Sequence, residues 1–223
     1  MAMEARDLVL INVVTGLAVI HFLLKTKGTS LEAATWFYAM TWIISLIMLL
    51  FMQMYYGQPT QKDVTDYDEN LSRNHLPWLF GGVAVIVIVS SVLVAGFTRS
   101  ALYVPRPGAV LSAAPLSSAA LIDDLLYNFV LVAPAEETMK LMGIMAIYQK
   151  TRNELVSVAV PVGIWASLHG YFAYVGTLMP VLIVSAFLSG LVLYIVMRQT
   201  GSLLNAVLAH AIFNSLVILS SLF

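Results

Sequence analysis

An all-α membrane protein, a polytopic bundle of about eight (seven to eight) transmembrane helices, is the fold class this sequence predicts. Three observations predict it. The 223 residues are 60% hydrophobic and 10% charged, whereas a soluble domain carries roughly 25% charged residues. The apolar residues gather in runs long enough to cross a bilayer, which takes about 20 residues each. The charged residues fall mostly between those runs, apart from a small set inside them in the second half of the chain.

The same composition excludes several functions. The net charge is −1, so no basic field suggests a nucleic-acid partner. The chain has no cysteine, which rules out disulfides, thiolate nucleophiles and iron–sulfur clusters. The lipid bilayer is the partner the composition does imply.

The apolar runs cover 8–24, 31–56, 77–98, 154–176, 178–197 and 202–222. The first reads as a retained membrane helix. Arg6 is flanked by Glu4 and Asp7, and no small-residue cleavage site precedes Lys25. The stretch 116–149 is harder to assign. It carries Asp123, Asp124, Glu136, Glu137 and Lys140, and Ala133-Pro134-Ala135 interrupts it. It reads either as one long kinked helix or as two short spans meeting near Pro134. Two spans put Lys25, Lys27, Arg99, Arg106, Lys150, Arg152 and Arg198 on one side, against Arg6, Lys62 and Arg73. One span would move Lys150, Arg152 and Arg198 across and erase the skew. The positive-inside rule therefore favours two spans, eight in all, with the N-terminus outside. The segments 57–76 and 99–115 are polar or proline-rich enough to sit in water. The whole chain, 1–223, reads as one transmembrane domain, with 130–223 as its motif-bearing core.

Ionisable residues at membrane depth cost several kcal/mol unless paired or hydrated, so they are the informative ones. The first set is Glu136-Glu137-Thr138-Met139-Lys140. Glu136 and Lys140 are four apart and share a helix face, so the lysine is expected to neutralise one carboxylate while the other stays free to act as a base. The bland alternative is a helix start with acids near its positive end. The second set is Trp165 and His169, again four apart, on a strongly apolar helix. A histidine satisfied by one interhelical hydrogen bond is the competing reading. His210 and Asn214 form the third set, near the middle of the last run, where polar glue between helices is the alternative.

Taken together, the three sets suit hydrolysis. A carboxylate can take a proton from water, and histidine and asparagine donors can stabilise a tetrahedral oxyanion. Two imidazoles and a carboxylate could instead hold zinc. The helical His-Glu-x-x-His pattern is absent from the sequence, as is Gly-x-Ser-x-Gly.

In order and spacing these residues resemble the CAAX prenyl endopeptidase and bacteriocin-processing superfamily of intramembrane proteases. That family shows a Glu-Glu motif, an aromatic-x-x-x-His motif and a His-x-x-x-Asn motif, matched here by Glu136-Glu137, Trp165…His169 and His210…Asn214. The run Arg198-Gln199-Thr200-Gly201-Ser202-Leu203 leading into the His210 helix strengthens the likeness, which covers about 130–223. The first ~110 residues carry no such signature. The chain also departs from the family. Leu141 stands where an arginine is usual, and Trp165 where phenylalanine is common. Ala-Pro-Ala-Glu-Glu-Thr-Met-Lys is closer to the related anti-sigma-factor site-one proteases. Those, however, usually carry Glu at the place of His169 and Asp at that of Asn214.

The resemblance implies a glutamate-dependent endopeptidase acting on a membrane-associated peptide or protein, prenylated or transmembrane. Glu136 and Glu137 would activate water, with Glu136 the main base. His169 would position the water, and His210 and Asn214 would stabilise the oxyanion. Lys140 and Trp165 would support them. No cofactor is expected, because this scheme uses every residue without one; zinc is the alternative. A non-catalytic immunity or scaffold protein of the same fold is the second reading, a proton-coupled transporter the third, and haem ligation by His169 and His210 the fourth. A polar cavity between the spans carrying Glu136, His169 and His210 is expected, and these three residues must lie close together for a hydrolytic site.

Overall fold

A computed structural model describes residues 5–29, 31–56, 75–97, 118–172 and 179–220. The two segments expected to sit in water, 57–76 and 99–115, lie outside this set except for His75 and Leu76. Among the described residues the secondary structure is helical throughout, with no strand. The helices are α1 (Ala5–Thr26), α2 (Glu32–Tyr56), α3 (His75–Phe97), α4 (Ser118–Tyr127), α5 (Ala133–Thr151), α6 (Glu154–Phe172), α7 (Met179–Thr200) and α8 (Leu203–Ser220).

A five-residue π-helical segment, Asn128–Val132, joins α4 to α5 without a break. This corrects the preference for two short spans. Residues 118–151 form one continuous rod, so the described chain contains seven rods rather than eight. Pro134 explains the form of the junction. Its ring has no N–H and would clash with the carbonyl four residues back in a regular helix. The wide turn opens that space, and the Ala133 N–H bonds to the Asn128 carbonyl, five residues back. The helix is thus widened rather than ended. The skewed charge split that put the N-terminus outside needed two spans here.

Local chemistry accounts for the connections. Gly28, at φ 75°, turns the chain after α1, and its N–H donates to Glu32 Oε2 at 2.7 Å. Arg152 closes α5 in the left-handed region, with its N–H on the Tyr148 carbonyl at 2.9 Å. Asn153 Oδ1 then accepts the Val156 N–H at 3.1 Å and starts α6. Gly201, at φ 65°, ends α7, and Ser202 Oγ accepts from the Asn205 N–H.

The bundle is apolar outside and more polar within. Exposed faces carry Leu17, Leu24, Ile88, Leu155 and Ile164, while Thr15, Thr35, Ser157, Asn128, Glu136, Glu137 and Lys140 are buried. Water would favour the opposite arrangement, and lipid favours this one. Among the described residues, four helical stretches are long and apolar enough to cross a membrane: Val9–Thr26, His75–Leu93, Pro180–Thr200 and Leu203–Ser220. The protein is therefore an all-α membrane helix bundle.

Packing centres on α5 and α8. Helix α5 touches α2, α6 and α8, while α7 lies against α3, α6 and α8. Small residues on α8, Ala206, Ala209 and Ala211, are buried and let neighbouring helices approach. Helices α6 and α7 come closest at Gly190. A Cβ there would stand 2.6 Å from Val162 Cγ1 and 3.1 Å from Trp165 Cζ3. Gly190→Ala is accordingly expected to cost about 1–3 kcal/mol through overpacking, read as a lower unfolding temperature in detergent. Gly81→Ala is the control, because a Cβ at Gly81 meets nothing within 4 Å. Equal unfolding temperatures for the two variants would refute the close approach.

Candidate active site

The rod 118–151 places Glu136 and Glu137 just beyond the wide turn, in the first part of α5, where both side chains are buried. Being adjacent, they point about 100° apart. That difference sends each carboxylate to different partners.

Glu136 turns toward α6. Its Oε2 accepts the Trp165 Nε1–H at 2.8 Å. The same oxygen lies 3.8 Å from His169 Nε2 and 3.6 Å from His210 Nε2. Tyr38, on α2, brings its phenol near the Glu136 carboxylate. Glu137 turns toward α8. Its Oε1 pairs with Lys140 Nζ at 2.6 Å and with His210 Nδ1 at 2.6 Å. Of the two carboxylates, the one the lysine neutralises is Glu137, three residues away, while the Trp165 indole engages Glu136 from α6. Lys140 also lies 3.8 Å from the Trp165 ring centroid, where the π face adds attraction for the cation.

The hydrogen bonds assign both imidazoles. His169 Nδ1 meets the Trp165 carbonyl at 3.0 Å. A carbonyl can only accept, so Nδ1 carries the proton and a neutral ring presents a bare Nε2. His210 Nδ1 donates to Glu137, and its Nε2 likewise faces Glu136. Both Nε2 atoms thus converge on one carboxylate oxygen. A single water about 2.8 Å from each of these atoms could donate to Glu136 and to His169 Nε2 and accept from His210 Nε2–H when that ring is doubly protonated.

Exposure differs sharply across the group. The side chains of Glu136, Glu137, Lys140 and His210 are 3–7% exposed, whereas that of His169 is 36% exposed. The group is therefore open at His169. A small cavity lies on the other side, lined by Glu137, Lys140, Leu141, Ile144, Val162, Gly190, Tyr194 and Met197. It borders Glu137 and Lys140 on α5, α6 and α7.

The structure thus gathers Glu136, Glu137, Lys140, Trp165, His169 and His210 into one cluster. Asn214 sits one turn beyond His210, and its Nδ2–H donates to Asn128 Oδ1 at 2.9 Å. Sequence reasoning missed two neighbours. Asn128 belongs to the wide turn, whose effect on facing is invisible in regular helical spacing. Tyr38 comes from the first third of the chain, where no motif stands. An aromatic hydroxyl in an apolar run was the one available signal, and several other tyrosines share it.

Residues 117–216 match the family model described as type II CAAX prenyl endopeptidase Rce1-like. No curated protein and no solved structure gives a significant match. The matched segment opens immediately before α4 and closes within α8, so it contains Glu136, Glu137, Lys140, Trp165, His169, His210 and Asn214, while Tyr38 lies outside it. Through these motif-bearing helices, just under half of its length, the chain is similar to the type II CAAX prenyl endopeptidase Rce1-like family.

Proposed function

We propose that the protein is a glutamate-dependent intramembrane endopeptidase that hydrolyses a peptide bond of a membrane-associated substrate, prenylated or transmembrane. The observation that carries this reading is the convergence of His169 Nε2 and His210 Nε2 on Glu136 Oε2, at 3.8 and 3.6 Å.

Glu136 is the general base. It takes a proton from the bound water as the water oxygen adds to the scissile carbonyl carbon. His169, its Nδ1–H held by the Trp165 carbonyl, accepts the second water proton in a hydrogen bond and points the attacking lone pair. His210 in its doubly protonated form presents Nε2–H to the new oxyanion, while Glu137 on Nδ1 stabilises the imidazolium. The Asn214 amide has two N–H donors and spends one on Asn128, so the second remains for the same oxyanion. The carbon–nitrogen bond then breaks, and Glu136 returns its proton to the departing amine. Lys140 balances the charge of Glu137. The scheme closes without a metal. Zinc, if present, would draw on Glu136, His169 and His210, of which Glu136 Oε2 already accepts the indole N–H.

The test is a panel of fluorogenic prenylated and transmembrane peptides offered to purified protein in detergent, with and without chelator. Cleavage that survives chelator and is lost in His210→Ala is the expected result. Loss on chelation, restored by zinc, would replace the base mechanism with a metal one. An intact His210→Ala fold with undiminished cleavage would overturn the oxyanion role. No cleavage of any peptide by folded protein would favour a non-catalytic scaffold.

A further inference from the structure

Asn128 is 4% exposed in a helix whose surroundings are apolar, and it makes three polar contacts to α8. Its Nδ2 donates to the Ala211 carbonyl at 3.0 Å and lies 3.5 Å from Ser215 Oγ. Its Oδ1 accepts from Asn214 Nδ2 at 2.9 Å. These contacts leave no freedom to flip the amide. The Ala211 carbonyl can only accept, so the amide nitrogen of Asn128 must face it. The amide oxygen must then face Asn214, which in turn can only present its own nitrogen. One fixed acceptor, the Ala211 carbonyl, thereby orients two amides in series.

The wide turn makes this contact. Asn128 and Glu136 are eight residues apart, and a regular helix would leave them about 80° out of register. The π segment absorbs one residue. The spacing then acts as seven, and the mismatch falls to about 20°. Asn128 therefore shares the side of the rod on which Glu136 meets His210 of α8, and its amide reaches Ala211 and Asn214 there, one residue after the Tyr127–Thr35 hydroxyl contact at 3.3 Å that ties the rod to α2.

We infer that Asn128 is a positioning residue for the peptidase site: it orients the Asn214 amide so that its second N–H points to the oxyanion beside His210. This rests on the proposed peptidase reading. Asn128 itself does not touch the reacting atoms. It acts through Asn214, so its loss should lower kcat and leave KM unchanged, because the oriented donor is needed in the transition state rather than for binding.

The experiment measures kcat and KM for Asn128→Leu, Asn214→Leu, the double variant and Asn128→Asp, beside wild type. Asn128→Leu and Asn214→Leu should each lower kcat by about 10²-fold, the scale of one oxyanion donor. The double variant should be no worse than either single one. Asn128→Asp keeps the acceptor for Asn214 and should recover part of the loss, and it also serves if the leucine variant does not fold. A kcat for Asn128→Leu within twofold of wild type, multiplicative losses in the double variant, or a change in KM alone would overturn the inference. Side-chain amide NMR of asparagine-labelled protein, with the Asn214 signal assigned from its absence in Asn214→Leu, separates the two readings. Loss of exchange protection at that amide in Asn128→Leu, with protection retained in Asn128→Asp, sustains the positioning contact even if wild type cleaves nothing, in which case the peptidase reading alone falls. An Asn214 amide signal indifferent to Asn128→Leu, or lost equally in Asn128→Asp, overturns the contact itself.

Discussion

Glu136→Gln is expected to lower kcat/KM for peptide cleavage by about 10²- to 10⁴-fold, the range over which a positioned general base contributes. The substitution is nearly isosteric. The glutamine oxygen can still accept the Trp165 indole N–H now seen at 2.8 Å, so the fold should survive and the unfolding temperature should shift little. What is lost is the ability to hold the proton removed from water. Glu137→Gln makes the informative contrast. That carboxylate faces Lys140 and His210 Nδ1 rather than the point where the two Nε2 atoms converge. Its loss should act indirectly, by weakening the His210 imidazolium, and should reduce the rate less than Glu136→Gln does. Steady-state assays on the two variants side by side decide the matter. Activity retained in Glu136→Gln but lost in Glu137→Gln would transfer the role of base to Glu137.

The outline of this site is legible in the sequence because lipid is a strict solvent. An apolar run of bilayer length has few fates, and a polar side chain inside one stands out against its neighbours. That contrast is enough to single out Glu136, Glu137, His169 and His210, and regular four-residue spacing correctly places Trp165 and His169 on a common face. The same regularity misleads where other helices intervene. Lys140 is four residues from Glu136 but pairs with Glu137, because the Trp165 indole engages Glu136 across the bundle. Such competition is a tertiary effect that no spacing rule contains. The wide turn is a second case. A proline inside an apolar stretch reads as a break, yet one extra residue in the turn accommodates it and rotates Asn128 toward α8. Tyr38 is illegible for a different reason. Its relation to Glu136 depends on α2 packing against α5, and nothing local in residues 32–56 marks which face will do so.

Lys140→Met should be the most destabilising single change in the site, by about 3 kcal/mol, the lower end of the range for breaking a buried ion pair. The lysine is 3% exposed and pairs with Glu137 at 2.6 Å, over the Trp165 ring. Methionine fills much of the same volume, so lost packing is a small part of the cost. The main part is the Glu137 carboxylate left without its cation. His210, also 2.6 Å from Glu137 Oε1, is then the group left to balance it. An imidazolium committed to that task keeps the penalty from reaching the upper end of the range. The same commitment predicts a second effect. The protonation state of His210 would no longer change freely during turnover, so kcat should fall even in protein that remains folded. A double variant, Glu137→Gln with Lys140→Met, separates these effects. It removes both charges together, and a neutral buried pair carries no uncompensated ion. Its unfolding temperature in detergent should therefore lie above that of Lys140→Met alone, while its activity should be no better. If the two substitutions instead added, with the double variant less stable than either single one, the ion pair would not be what holds this corner of the bundle. Packing of the lysine stem against Trp165 would then have to carry the stability.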